Sequence, residues 1–174
     1  MRTTVSPVRN ADWRFLLPAP NGEAFGHLLL LGGTPQLQAT LLELGVARRV
    51  SRSVRAGDTA DALVILAGAG GPIDLAIEQL EAHGVLYWEV DRRTAGDLTL
   101  TPARAMRRLA EHGLTPDLAY WVKPGFPDRH MYVPVDSPGA VTWYLDTLYR
   151  AKGLPRRLFG AALRLLAHHA DGIA

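Results

Sequence analysis

Residues 27–31, HLLLL, form an unbroken apolar run. The chain then passes through Gly32-Gly33 into a segment with Leu37, Leu41 and Leu44 at helical spacing. A strand without polar alternation is one buried on both faces, as in a parallel sheet. Thr34 is placed to cap the next helix, Pro35 suits its first position, and Gly45 marks its end. RRVSRSV (48–54) reads as a second strand and ALVILAG (62–68) as a third. A helix is predicted from Pro72 to about His83, with Ile73, Ile77 and Leu80 on one side, and GVLYWEV (84–90) as a fourth strand. Strands alternating with helices at this pitch predict an α/β fold around a parallel sheet.

Beyond residue 100 the pattern changes. TPARAMRRLAEHGL (101–114) reads as a capped helix with Met106, Leu109 and Ala110 facing in. DLAYWVKP and RHMYVPVD read as two strands, and the short GFPD between them predicts an antiparallel pair. Two helices follow, SPGAVTWYLDTLYRAKG and PRRLFGAALRLLAHHADG. Residues 1–24 hold Pro18, Pro20 and Gly22, which forbid a long helix, so they read as an irregular arm. With no linker and no repeat, one domain is expected over 1–174: an arm (1–24), an α/β core (25–136) and a helical extension (137–174). The expected class is α/β: a three-layer, Rossmann-like, mostly parallel sheet with an antiparallel C-terminal strand pair and two C-terminal helices.

Composition removes several chemistries. There is no cysteine, hence no disulfide, no thiolate nucleophile and no Cys-ligated metal. The basic side chains are 17 Arg against 2 Lys. They come as pairs (Arg48/Arg49, Arg92/Arg93, Arg107/Arg108, Arg156/Arg157), without the clustered face that nucleic-acid binding needs. The N-terminus lacks the apolar core of a secretory signal. The longest apolar runs, LLLL and ALVILAGAG, fall far short of the ~20 residues that span a bilayer. A cytoplasmic protein that is not an integral membrane protein is expected.

The best candidate site joins two glycine turns, GGTP (Gly32, Gly33, Thr34) and GAGGP (from Gly68), at the carboxyl edge of the sheet, where open α/β folds bind ligands. Each turn could hold an anion at a helix N-terminus, or be a tight turn and nothing more. Asp12, Trp13 and Arg14 could orient and stack a substrate, or Trp13 could plug the core edge. Glu89 with Asp91 could be an acid–base pair, or could close the strand by pairing with Arg92 or Arg93. Of the six histidines none stands in a metal-binding pattern. His83 and His112 precede glycines at predicted helix ends and read as caps; His130 with Asp128 and Tyr132 could line a pocket. No serine lies in a G-x-S-x-G setting and no P-loop lysine is present. The last helix carries an apolar stripe of Leu158, Ala162, Leu165 and Leu166, suited to its own domain, a dimer mate, another protein or a membrane surface.

The order strand, glycine turn, helix, strand, strand, helix, strand, helix, hairpin resembles class I S-adenosylmethionine-dependent methyltransferases. HGVLYWEV resembles the strand after that family's fourth helix, and GLTPDLAYWVKPGFPDRHMYVPVD resembles its tail hairpin, which closes a seven-stranded sheet. The likeness covers about residues 25–136. It implies a cofactor site at Gly32, Gly33, Thr34, Asp58 and Gly68, with the arm (Asp12, Trp13, Arg14) folded over its edge; His130, Leu158 and Leu165 are further candidates for a substrate or partner from their own setting. The departures are specific. Leu30 stands at the acidic place of the family's first motif, and Thr34 and Gln36 stand where its second and third glycines would be. Asp58 is the one carboxylate near the end of the second strand, and a whole helix-and-strand unit is missing before ALVILAG. Two functions follow from the resemblance. One is a degenerate, non-catalytic binding or assembly partner, working through a protein partner or as a homodimer by its C-terminal helices. The other is a small S-adenosylmethionine-dependent methyltransferase acting on a small molecule or peptide.

Overall fold

The computed structural model describes residues 17, 23–90, 101–123 and 131–152. They fall into two compact units, one ending at Thr115 and one beginning at Pro116.

The first unit is built on a four-stranded parallel sheet. β1 is Phe25–Leu31, β2 Ala47–Ser51, β3 Ala60–Ile65 and β4 Leu80–Trp88, in the order β2-β1-β3-β4. Leu28 pairs with Val50 on one side and Ala62 on the other, and Leu31 stands opposite Ile65. Leu28, Leu30 and Leu63 are fully buried, as expected for the inner strands of a parallel sheet. α1, Pro35–Glu43, follows β1 and begins where Thr34 Oγ1 accepts the Leu37 N–H at 3.1 Å. Leu41 is its buried residue, while Leu44 is exposed.

From the central pair the chain runs outward in opposite directions, through α1 to β2 and through α2 to β4. Right-handed crossovers therefore put the two helices on opposite faces, which makes the three layers. Leu29, Leu31, Leu63 and Ile65 pack with Ala76 and Ile77 of α2 (Ile73–Glu78) and with Leu109 of α3 (Pro102–Glu111). On α3 it is Ala105 and Leu109, at i and i+4, that are buried; Met106 is half-buried and Ala110 exposed. The inward face thus lies about one position from the expected one.

Two departures from the sequence reading matter for the site. First, α2 ends at Glu78 and β4 starts at Leu80. Leu80 pairs with Ala60 and Val85 with Ala62, so Glu81–Gly84 bulge out opposite Asp61. His83 is an exposed residue of that bulge and caps no helix. His112 does cap α3, its backbone N–H reaching the Leu109 carbonyl at 3.0 Å.

Second, the chain crosses from β2 to β3 over β1 through residues 52–59 with no helix. Parallel crossovers usually take about a dozen residues or more, most often a helix. Here a short bent segment suffices, with a turn closed by the Asp58 N–H on the Arg55 carbonyl at 3.2 Å. Val54 from this segment packs against the same cluster as α2.

In the second unit, β5 (Tyr120–Lys123) and β6 (Met131–Pro134) pair antiparallel, with Trp121 opposite Val133. This hairpin is a two-stranded sheet of its own, unlike the shared sheet implied by the methyltransferase resemblance. Tyr120 and Tyr132 meet edge-to-face at 6.0 Å. α4, Pro138–Lys152, buries Leu145. The second C-terminal helix of the sequence reading lies outside the described residues.

Candidate functional site

The topological switch point lies between β1 and β3, at their carboxyl ends, where a ligand crevice belongs in an open α/β sheet. Gly32 takes φ +79°, a conformation that favours glycine. A Cβ built on it would lie 2.9 Å from the Cβ of Ala69 and 3.1 Å from its Cα. The two predicted turns are thus brought together, but as a contact: Ala69 occupies the space beside Gly32. A Cβ on Gly33 would meet Leu30 Cδ2 at 2.3 Å, so the turn also lies hard on the buried Leu30.

The polar groups of the β1–α1 turn serve the fold. Thr34 Oγ1 caps α1, and Arg52 Nε donates to the Gly33 carbonyl at 2.9 Å. Gly68 is exposed in the turn after β3. Beside it lies Glu89, 4% exposed and the one buried charged residue among the described residues. Its Oε2 accepts the Ala67 N–H at 2.8 Å, and its Oε1 accepts the Tyr87 hydroxyl at 3.0 Å. Its own N–H donates to the Ile65 carbonyl at 2.8 Å. A carboxylate out of water needs such donors. Glu89 therefore braces the β3–α2 turn against the end of β4. Asp91, its suggested partner, lies outside the described residues.

Asp58 is placed elsewhere. It precedes β3, at the amino edge of the sheet, and accepts a bond from Arg49 Nη2 at 2.5 Å. Because the crossover carries the chain back to the start of β3, the carboxylate is taken away from Gly32 and Gly68. No family model, curated protein or solved structure matches the chain.

One constellation was not singled out in the sequence. His27 of β1 lies between its two neighbouring strands. Its Nδ1 is 2.5 Å from the Thr59 carbonyl and its Nε2 is 2.7 Å from Ser51 Oγ. A carbonyl can only accept, so Nδ1 carries the proton; in the neutral ring Nε2 then accepts the Ser51 hydroxyl. Asp61 holds the strand beneath, accepting the N–H groups of Gly26 at 2.7 Å and His27 at 2.8 Å. The signal was a His and a Ser on two separate strands, whose meeting depends on register.

A second polar tie joins α2 to α3. Arg108 grips Asp74 with Nε at 2.5 Å and Nη2 at 2.6 Å, and His112 Nε2 reaches the same carboxylate at 3.2 Å. The Arg108 hydrogen bonds, against a smaller opposing effect of burial and aided by His112, lower the Asp74 pKa from 3.8 to about 2.

On α4, Trp143 is 60% exposed. With Pro138, Gly139, Thr142 and Asp146 it lines an open depression of about 490 Å³. The remaining candidates (Asp12, Trp13, Arg14, His130, Leu158 and Leu165) lie outside the described residues. Among the described residues no acidic or histidine cluster could hold a metal, and no helix is long and apolar enough to cross a membrane.

Proposed function

We propose that this chain is a degenerate methyltransferase-like protein that acts as a non-catalytic binding or assembly partner. The observation that carries the reading is the Gly32–Ala69 contact. Cofactor sites of this kind use glycines so that a ligand can approach the backbone, and here a protein side chain takes that approach. Leu30, fully buried at the acidic place, and Asp58, at the other edge of the sheet, support the same reading. Its assembly half draws on the C-terminal helices, as a surface for a protein partner or a second copy. Exposed tryptophan is characteristic of contact hot spots, and Trp143 offers one on α4. A cytoplasmic location belongs to the same proposal.

The alternative is a small S-adenosylmethionine-dependent methyltransferase. It draws on Glu89, a buried carboxylate beside Ala67 and Gly68 at the carboxyl edge. Calorimetric titration with S-adenosylmethionine and S-adenosylhomocysteine separates the two. No heat and no thermal shift are expected. Micromolar binding that is lost in Gly32→Trp would overturn the non-catalytic reading. For the assembly half, sedimentation of the wild type and of Trp143→Ala, alone and with a candidate partner, should show an association that the substitution weakens.

A further inference from the structure

We propose that Ser51 and His27 form a nucleophile–base pair able to accept an acyl group from a short-chain carboxylic ester. The proposal is independent of the assembly reading, which concerns the carboxyl edge and α4.

Three observations carry it. The first is geometry. Ser51 Oγ lies 2.7 Å from His27 Nε2, within the reach that nucleophilic catalysis requires. The second is the tautomer. The Thr59 carbonyl, 2.5 Å from Nδ1, fixes the proton there and leaves Nε2 as the acceptor. It thus takes the orienting place that a carboxylate fills in the Ser-His-Asp arrangement. The third is access. His27 and Ser51 are half-buried, whereas Leu63 and Ile65 on the same sheet face are buried under α2 and α3. The β2–β3 crossover lacks the helix that would otherwise cover this part of the sheet, so the missing unit is what leaves the pair within reach of solvent.

Among the described residues β2 is an edge strand, and alternate N–H groups of an edge strand point away from its neighbour. In the proposed step such edge N–H groups take the part of donors to a developing oxyanion. Arg49, on the same side of β2 two residues earlier, is held by Asp58 and remains 54% exposed.

The step balances without a further reagent. Ser51 Oγ attacks the ester carbonyl carbon while its proton passes to His27 Nε2. The C–O bond to the leaving alcohol breaks, and His27 returns the proton to that oxygen. Water then attacks the Ser51 ester, giving its proton to His27; the C–O bond to Ser51 breaks, His27 returns the proton to Ser51 Oγ, and the carboxylic acid departs. The transient imidazolium keeps its Nδ1–H on the Thr59 carbonyl.

The test uses the full chain with p-nitrophenyl acetate and with diisopropyl fluorophosphate. A burst of p-nitrophenolate is expected, with the adduct on the peptide holding Ser51. Ser51→Ala should abolish both, with an unchanged circular dichroism spectrum. His27→Gln should slow acylation by about 10²-fold, the lower end of general base catalysis. If His27→Gln does not fold, the Ser51→Ala comparison decides alone. Adducts spread over other side chains with Ser51 unmodified, or equal labelling of Ser51→Ala and wild type, would overturn the proposal and leave the pair as a purely structural tie between strands.

Discussion

Ala69 stands where a side chain on Gly32 would have to go. The Cβ–Cβ distance would be 2.9 Å, and Gly32 already holds φ +79°. Two separate costs therefore attend Gly32→Ala. The left-handed conformation costs a non-glycine residue about 1–2 kcal/mol, and overpacking costs about 1–3 kcal/mol more. Urea denaturation should show a loss of about 2–5 kcal/mol. Adding Ala69→Gly should return part of the overpacking cost, since the Ala69 Cα would still lie 3.1 Å away, and leave the conformational part. A double mutant no better than the single would mean that Ala69 does not fill the crevice, and the main support for a non-catalytic role would fall with it.

Glu89 accepts from the Ala67 N–H and from the Tyr87 hydroxyl. Glu89→Gln keeps the shape and gives one arm an NH₂ group that cannot accept. The Ala67 N–H then meets a neutral oxygen in place of a carboxylate, at a cost of about 1 kcal/mol. Tyr87→Phe removes only a donor and should cost about 1 kcal/mol. Because Ala67 sits in the turn after β3, the Gln variant should also lose hydrogen-exchange protection at Ala67. Loss of stability without that local change would place the role of Glu89 elsewhere.

Most of the fold was legible because its signals are local. The HLLLL run, the Thr34 and Thr101 caps and the GFPD spacing each specify an element by nearest-neighbour chemistry, and β1, α1, α3 and the β5–β6 hairpin follow from them. What was not legible depends on which strands lie side by side. The extent of α2 was overestimated because Ile73, Ile77 and Leu80 keep helical spacing, although Leu80 is taken by pairing with Ala60. Asp58 is the carboxylate nearest along the chain to the end of the second strand, yet the helix-free crossover delivers it to the start of the third. Ser51 and His27 meet only because β2 pairs with β1 in a register that places His27 opposite Arg49 and Leu29 opposite Ser51. No spacing along the chain encodes that.

Thr34 occupies a place that the resemblance gives to a glycine, and its hydroxyl caps α1 at the Leu37 N–H. If its role is the cap, Thr34→Ala should cost about 1 kcal/mol, while Thr34→Ser and Thr34→Gly should cost a few tenths. Thermal denaturation of the three variants gives the ranking directly. An alanine variant as stable as wild type would show that the cap is dispensable and reopen a ligand role for the hydroxyl.

The Asp74–Arg108–His112 tie supplies a pH dependence whose sign can be worked out. Asp74 has its pKa lowered from 3.8 to about 2 in the folded chain, chiefly by the Arg108 hydrogen bonds. The folded state therefore binds a proton here less readily than the unfolded state does. The contribution is fully present above about pH 4 and is lost as the pH falls from there towards about 2. The carboxylate is 50% exposed, so the pair belongs to the surface class, worth at most about 1 kcal/mol even with bidentate geometry. Asp74→Asn should accordingly lower stability by about 0.5–1 kcal/mol near pH 7, and the gap to wild type should close as acid is added, vanishing near pH 2. Urea midpoints of the two proteins in steps from about pH 5 to about pH 2 measure this. A gap that stays constant over that range would show that Asp74 joins α2 to α3 by shape and not by charge.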